Sequence, residues 1–155
     1  MTFTEAVMST QPFTVRRRVR FGDCDPAGVA YTAQFSEYAV SAMDLFLSEL
    51  LDGPYLKRLG TVQTPIKALS FVFLAPLRPN DEFDMVVSVR EIRTHTFVLG
   101  IDGAMVSGTP IFECVMAPIC ISSTRRSVAI PAKLRAALTT YQQQAGANDA
   151  TALPH

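Results

Sequence analysis

The sequence has little histidine, little cysteine and no excess of charge, and each shortage removes a class of function. Histidine occurs twice, as His95 and His155, and the three cysteines, Cys24, Cys114 and Cys120, include no CxxC pair. No ligand set with the spacing of a zinc site remains, and no metal or other cofactor is expected. Fourteen basic residues balance fourteen acidic ones, so bulk charge gives no electrostatic case for nucleic acid or an anionic membrane. A local basic patch can still hold phosphate. No apolar run approaches the ~20 residues that span a bilayer. Met1 to Thr10 lacks the basic start and apolar stretch of a secretory signal, and an odd cysteine count without one fits reduced thiols. These absences predict a cytoplasmic protein that engages neither nucleic acid nor membrane.

What is present is a chain of single-domain length, 48% apolar and 18% charged, oily for a monomer of 155 residues. The expected domain runs from 11 to 143, between flexible termini at 1–10 and 144–155. Phe13 to Phe21 alternates as a half-buried strand, with Phe13, Val15, Val19 and Phe21 inward and Arg17 the one misfit on that face. Asp25-Pro26-Ala27-Gly28 has the acid, proline and glycine of a type I turn. From Ala33 to Leu51 there is no proline or glycine. Phe35, Ala39, Ala42, Phe46 and Leu50 recur there at helical spacing, with a narrow stripe of Glu37, Ser41, Asp44 and Ser48. Asp52-Gly53-Pro54 ends that helix.

Four strands are expected next, near Ile66–Leu74, Phe83–Ile92, Phe97–Val106 and Ile111–Ile121. The last is apolar almost throughout, as a central strand would be, but Pro118 demands a bulge or an edge. Ile130-Pro131-Ala132 opens a short terminal helix. The order implies an α+β fold, a five-stranded antiparallel sheet curled around one long central helix. One sheet of this size leaves such a helix partly uncovered, which predicts a homo-oligomer, a dimer or tetramer.

The run Phe21-Gly22-Asp23-Cys24-Asp25-Pro26-Ala27-Gly28-Val29-Ala30-Tyr31, preceded by Val19-Arg20, resembles the signature of the 4-hydroxybenzoyl-CoA thioesterase family. The element order and the Thr64-Pro65-Ile66 entry to the second strand are similar too. The resemblance implies the hotdog fold, an acyl-CoA substrate and a site where two subunits meet. It makes Asp25 the carboxylate that attacks the thioester or activates water, and the backbone N–H near Thr32 the group that polarises the carbonyl oxygen. It also sets the nucleotide end of coenzyme A on basic surface residues. Thioester hydrolysis builds negative charge on that oxygen, and the first turn of a helix offers unpaired N–H groups and the positive dipole end.

Each candidate has a bland counterpart. Asp25 could merely cap its own turn, Asp23 suits a structural or solvated role, and Cys24 has no histidine nearby to activate it. Glu37 and Asp44 are rival catalytic carboxylates on the helix, or simply a polar face. Tyr31 and Phe35 either line an acyl pocket or pack in the core; Cys114 and Cys120 read as core. Arg93 and His95 near one hairpin, and Arg125-Arg126 before the last helix, could hold phosphates or be ordinary surface charge. At the place where the hydroxybenzoyl branch has an acid for the phenol hydroxyl stands Val40, which favours short, branched or unsubstituted aryl groups. An acyl carrier protein could replace coenzyme A, and a non-catalytic acyl-binding protein is the alternative to an enzyme. A hotdog dehydratase would need a histidine near the helix, and none occurs before His95.

Overall fold

Six strands form one antiparallel sheet in the computed structural model, which describes residues 3–151. They are β1 (Glu5–Thr10), β2 (Phe13–Arg18), β3 (Ile66–Phe73), β4 (Glu82–Ile92), β5 (Phe97–Met105) and β6 (Pro110–Pro118). Their order across the sheet is β1-β2-β4-β5-β6-β3, so β1 and β3 are the edges. Two long helices, α1 (Thr32–Leu50) and α3 (Ala132–Thr151), and the single-turn α2 (Tyr55–Arg58) complete the chain. Among the described residues no helix is long and apolar enough to cross a membrane.

The period-two pattern places the core. Phe83, Met85, Val87 and Val89 of β4 are buried, and Leu99, Ile101, Phe112, Cys114 and Met116 continue that face across β5 and β6. Against it lies α1, whose Phe35, Tyr38, Ala39, Ala42, Met43, Phe46 and Leu47 are all buried. Each large apolar side chain buried here contributes about 1.5–3 kcal/mol relative to exposure. The Phe112 ring lies over Gly103, where a Cβ would come within 2.4 Å of it.

Several expectations are corrected. The sheet has six strands, not five, because Glu5–Thr10, read as lead-in, pairs with β2 as an edge strand. Glu5 stands opposite Arg17 in that pairing and supplies a carboxylate to the buried guanidinium, 3.2 Å from its Nη1. Phe21 does not continue the inward face. The strand ends at Arg18, the chain turns through a short 3-10 helix at Phe21–Asp23, and Phe21 is 87% exposed. The last helix is long, with Leu134, Leu138 and Tyr141 buried at successive turns; the polar run after Tyr141 concealed its extension in the sequence. Residues 144–151 are therefore helical, while Met1, Thr2 and 152–155, including His155, lie outside the described residues. Pro118 closes β6 opposite Ile66, where the pairing with β3 is irregular, and β6 lies one strand in from the edge.

Candidate active site

The loop between β2 and α1 is held at both ends by backbone hydrogen bonds. Val19 N–H donates to Asp81 O (2.9 Å), Asn80 N–H to Val19 O (2.8 Å) and Ala30 N–H to Leu77 O (2.7 Å), tying both ends of the loop to the segment before β4. Within it, Asp25 N–H donates to Val29 O and Gly28 N–H to Asp25 O, each at 2.9 Å. Gly28 has φ +83°, a conformation that favours glycine. Asp25 Oδ1 accepts from Ala27 N–H at 2.9 Å and lies 3.5 Å from Val29 N. No donor among the described residues reaches its Oδ2. The turn-capping role and a free carboxylate oxygen thus coexist in one side chain.

Asp23 is different. It is 3% exposed, and its Oδ2 accepts from Arg20 N–H and from the Tyr38 hydroxyl, both at 2.9 Å, while Arg20 Nη2 lies 3.5 Å from Oδ1. Its carbonyl accepts from Tyr31 N–H at 3.3 Å. The first Asp of the signature therefore fastens the loop to α1. Between the two acids, burial and then the charges of Asp23, Asp25 and Asp81 push the Cys24 thiol up, which keeps it protonated and poorly nucleophilic.

Tyr31 is the N-cap of α1 and gives its first turn no side-chain acceptor. The N–H groups of Thr32 and Ala33 thus stand at an uncapped end of a 19-residue helix. Tyr31 is half exposed beside this end, its hydroxyl 3.4 Å from Gly22 O. Phe35 is buried and edge-on to Tyr38, Phe73 and Phe112; it packs in the core. Along the outer face of α1 runs a cavity of about 560 Å³, lined by Ala33, Ser36, Glu37, Val40, Ser41, Asp44, Tyr55 and Leu56. Asp44 is exposed on its wall, and Glu37 accepts from Gln34 Nε2 at 3.2 Å.

The remaining candidates lie elsewhere. Arg18 pairs with Glu82 and Phe73 with Phe112, so the Asp25 loop leaves the sheet at the end formed by the start of β4. Ile92 pairs with Phe97 and Ile66 with Pro118, which puts Arg93, His95, Thr64 and Pro65 at the opposite end. Arg125 and Arg126 belong there too, since Cys120 N–H donates to His95 O and Val128 N–H to Cys120 O. β4 alone is 11 residues long, roughly 35 Å at the rise of a strand. A single chain does not bring the two groups together. Arg93 is exposed and paired with Glu91 at 2.8 Å, and its carbonyl accepts from Arg135. Thr64 is 7% exposed, and its Oγ1 has no hydrogen bond of normal geometry. The Tyr55 phenol lies close by, pushed up by burial and by Asp44 and pulled the other way by Thr64.

The family model described as the thioesterase-like superfamily matches residues 19–138. The chain belongs to that superfamily. A 4-hydroxybenzoyl-CoA thioesterase from Pseudomonas sp. (strain CBS-3) is 26% identical over 88 residues, 55% of this chain and 62% of that protein. The chain thus spans somewhat under two thirds of the curated relative's length. A solved gentisyl-coenzyme A thioesterase is 25% identical, with a TM-score of 0.74 over 81% of this chain and 98% of that one. A 1,4-dihydroxy-2-naphthoyl-CoA thioesterase from Synechocystis shares the hotdog fold at 23% identity and TM-score 0.74, over 82% of this chain and 95% of that one.

In this member of the superfamily Tyr38, Glu5 and Tyr55 were not legible in the sequence. Arg17, noted only as a misfit, held the available signal: a buried guanidinium requires a nearby acid. Tyr38 was hidden among the apolar positions of α1, where its ring packs and only its hydroxyl is polar.

Proposed function

We propose that the chain is an acyl-CoA thioesterase in which Asp25 is the catalytic carboxylate, nucleophile or general base. The observation that carries this is an Asp25 side chain anchored through one oxygen, just upstream of the uncapped N-terminus of α1. As nucleophile, Asp25 forms a C–O bond to the thioester carbon, and the C–S bond breaks as the thiolate leaves and takes a proton. Water then hydrolyses the anhydride. As general base, Asp25 removes a proton from the water that attacks. Either course builds charge on the carbonyl oxygen, for which the Thr32 N–H is the donor at hand. The chain supplies the carboxylate and the N–H, and solvent supplies the water and the proton that the thiolate takes.

The cavity beside Val40 suits a small aromatic, short or branched acyl group. Val40 itself accepts no hydrogen bond from a phenol hydroxyl. Arg93, His95, Arg125 and Arg126 are the candidates for the coenzyme A phosphates, with Thr64 and Pro65 beside them. They reach Asp25 only if a second subunit presents them. Edge strand β3 supports such pairing: Leu69, Val72, Phe73 and Leu74 are exposed along or just beyond it. Two copies of β3 joined antiparallel about a two-fold axis bring the Thr64 end of one subunit to the Asp25 end of the other. The same reading makes the protein a cytoplasmic dimer or tetramer.

A second reading, thioesterase chemistry on an acyl carrier protein with a helix carboxylate, rests on Glu37 and Asp44 lining the cavity. A screen of coenzyme A esters and of the same acyl groups on an acyl carrier protein, repeated with Asp25→Asn, Glu37→Gln and Asp44→Asn, separates the two. Asp25→Asn keeps the capping oxygen, so the fold should hold while kcat falls by roughly 100-fold or more. The helix variants should stay within a few-fold of wild type. Loss in a helix variant alone moves the chemistry to α1, and a wild type silent on every ester means a binding protein.

A further inference from the structure

A line of polar contacts runs through the interior from the sheet edge to the proposed catalytic loop, and nothing in the chemistry above uses it. It starts at Glu5 on β1, whose carboxylate oxygens accept from Ser41 Oγ of α1 at 2.8 Å. The same carboxylate accepts from Arg17 Nη1 at 3.2 Å. Arg17 is 6% exposed, and its guanidinium lies 5.0 Å from the centre of the Tyr38 ring. Tyr38, fully buried, donates its hydroxyl to Asp23 Oδ2 at 2.9 Å. Asp23 in turn holds Arg20 N–H on one side and, through its carbonyl, the Tyr31 N–H that leads into the first turn of α1.

The Arg17, Tyr38 and Asp23 links are buried and the Glu5 end is half-buried, so solvent competes little along the inner part of the line, and the charges alternate. Arg17 sits between the Glu5 carboxylate and the ring face whose hydroxyl serves the Asp23 carboxylate. Buried charges of this kind have few other low-energy arrangements, because each group loses its partner if its neighbour turns away. The line ends on the two backbone points, Asp23 N-terminal to Asp25 and Tyr31 just before Thr32, that set the carboxylate and the helix N–H relative to each other. A shift of about 1 Å between such groups costs a catalyst on the order of 100-fold.

We propose that Glu5, Arg17 and Tyr38 are positioning residues, which transmit the docking of strand β1 to the geometry between Asp25 and the N-terminus of α1. The inference rests on the reading of Asp25 as the catalytic carboxylate. Activity then depends on an edge strand that touches neither substrate nor reacting atoms.

The test compares Glu5→Gln, Tyr38→Phe and the double variant with Asp25→Asn, at a temperature where circular dichroism shows each fully folded. Glu5→Gln keeps the acceptor for Ser41 and removes the charge; Tyr38→Phe keeps the ring and removes one hydroxyl. Each should lower kcat about 10-fold with KM within two-fold, since the loss falls on the transition state. The double variant should fall little further, because the two act through one line. Folded single variants with kcat within two-fold of wild type overturn the relay and leave Asp25 standing if Asp25→Asn is inactive. Losses in kcat that simply multiply overturn it as well. An active Asp25→Asn overturns both readings. If Tyr38→Phe does not fold, Arg17→Lys replaces it, keeping the charge but not the guanidinium fork that meets Glu5 and the Tyr38 ring; a kcat loss of about five-fold or more supports the relay, and a kcat within two-fold of wild type refutes it.

Discussion

Asp23 and Asp25 are two residues apart, yet one carboxylate is buried beneath three donor groups while the other is tied through a single oxygen. Their roles divide accordingly: the first is occupied with holding the loop, the second has an oxygen to spare for chemistry. The thiol between them is the natural competitor for the nucleophile's role. Burial and three neighbouring carboxylates push Cys24 up, so the thiolate fraction near neutral pH is small. Burial holds the other two thiols up as well, Cys114 to about 12. Cys24→Ala should therefore leave kcat/KM within a few-fold of wild type on any ester the protein hydrolyses. A loss on the scale expected of Asp25→Asn would transfer the nucleophilic role to sulfur.

At the scale of elements, one side chain links α3 to three neighbours. The Tyr141 hydroxyl donates to Val87 O at 2.6 Å and accepts from Phe13 N–H at 2.8 Å, while its ring lies 4.8 Å from that of Phe46. It joins α3 to β2, β4 and α1 together. Tyr141→Phe keeps the ring and leaves a buried N–H and carbonyl short of a partner, a loss of about 1–3 kcal/mol. For a domain of this size the melting temperature should drop by several degrees, with activity per folded molecule unchanged. A calorimetric midpoint equal to wild type would show that the hydroxyl carries no load. Such clamps were not legible in the sequence, because a Tyr at a helical apolar position looks like any core residue. The strands β2 and β4 and helix α1 were legible through their periods of two and 3.6, which local geometry sets, and β6 as a nearly unbroken apolar run. Strand β1 was not: its partner Arg17 lies across a turn, and the need of a buried charge for an acid does not say which acid. The turn at Asp25 and the helix it precedes were visible because both rest on contiguous residues. That Arg93 and Arg125 share one end of the sheet was not, since it follows from strand order.

On the scale of the whole molecule, the sheet holds Asp25 and the basic cluster at opposite ends, and α1 runs between them. On the proposed function one subunit carries two half-sites, and antiparallel pairing through β3 is the simplest way to complete both at once. The arrangement makes a prediction that no single-subunit site shares. Asp25→Asn lacks the carboxylate but keeps the arginines; an Arg125→Ala/Arg126→Ala variant lacks the phosphate contacts but keeps Asp25. Each should have low kcat/KM alone, assayed with substrate well below KM. After co-refolding in equal amounts, mixed dimers have one site missing both features and one site missing neither. Random pairing makes half the dimers mixed, so activity should recover to about a quarter of wild type. Wild-type kcat/KM should also fall with added salt, because exposed phosphate contacts are screened. A mixture no more active than the average of its parents would place the carboxylate and the arginines in the same subunit's site, or remove the arginines from the site altogether.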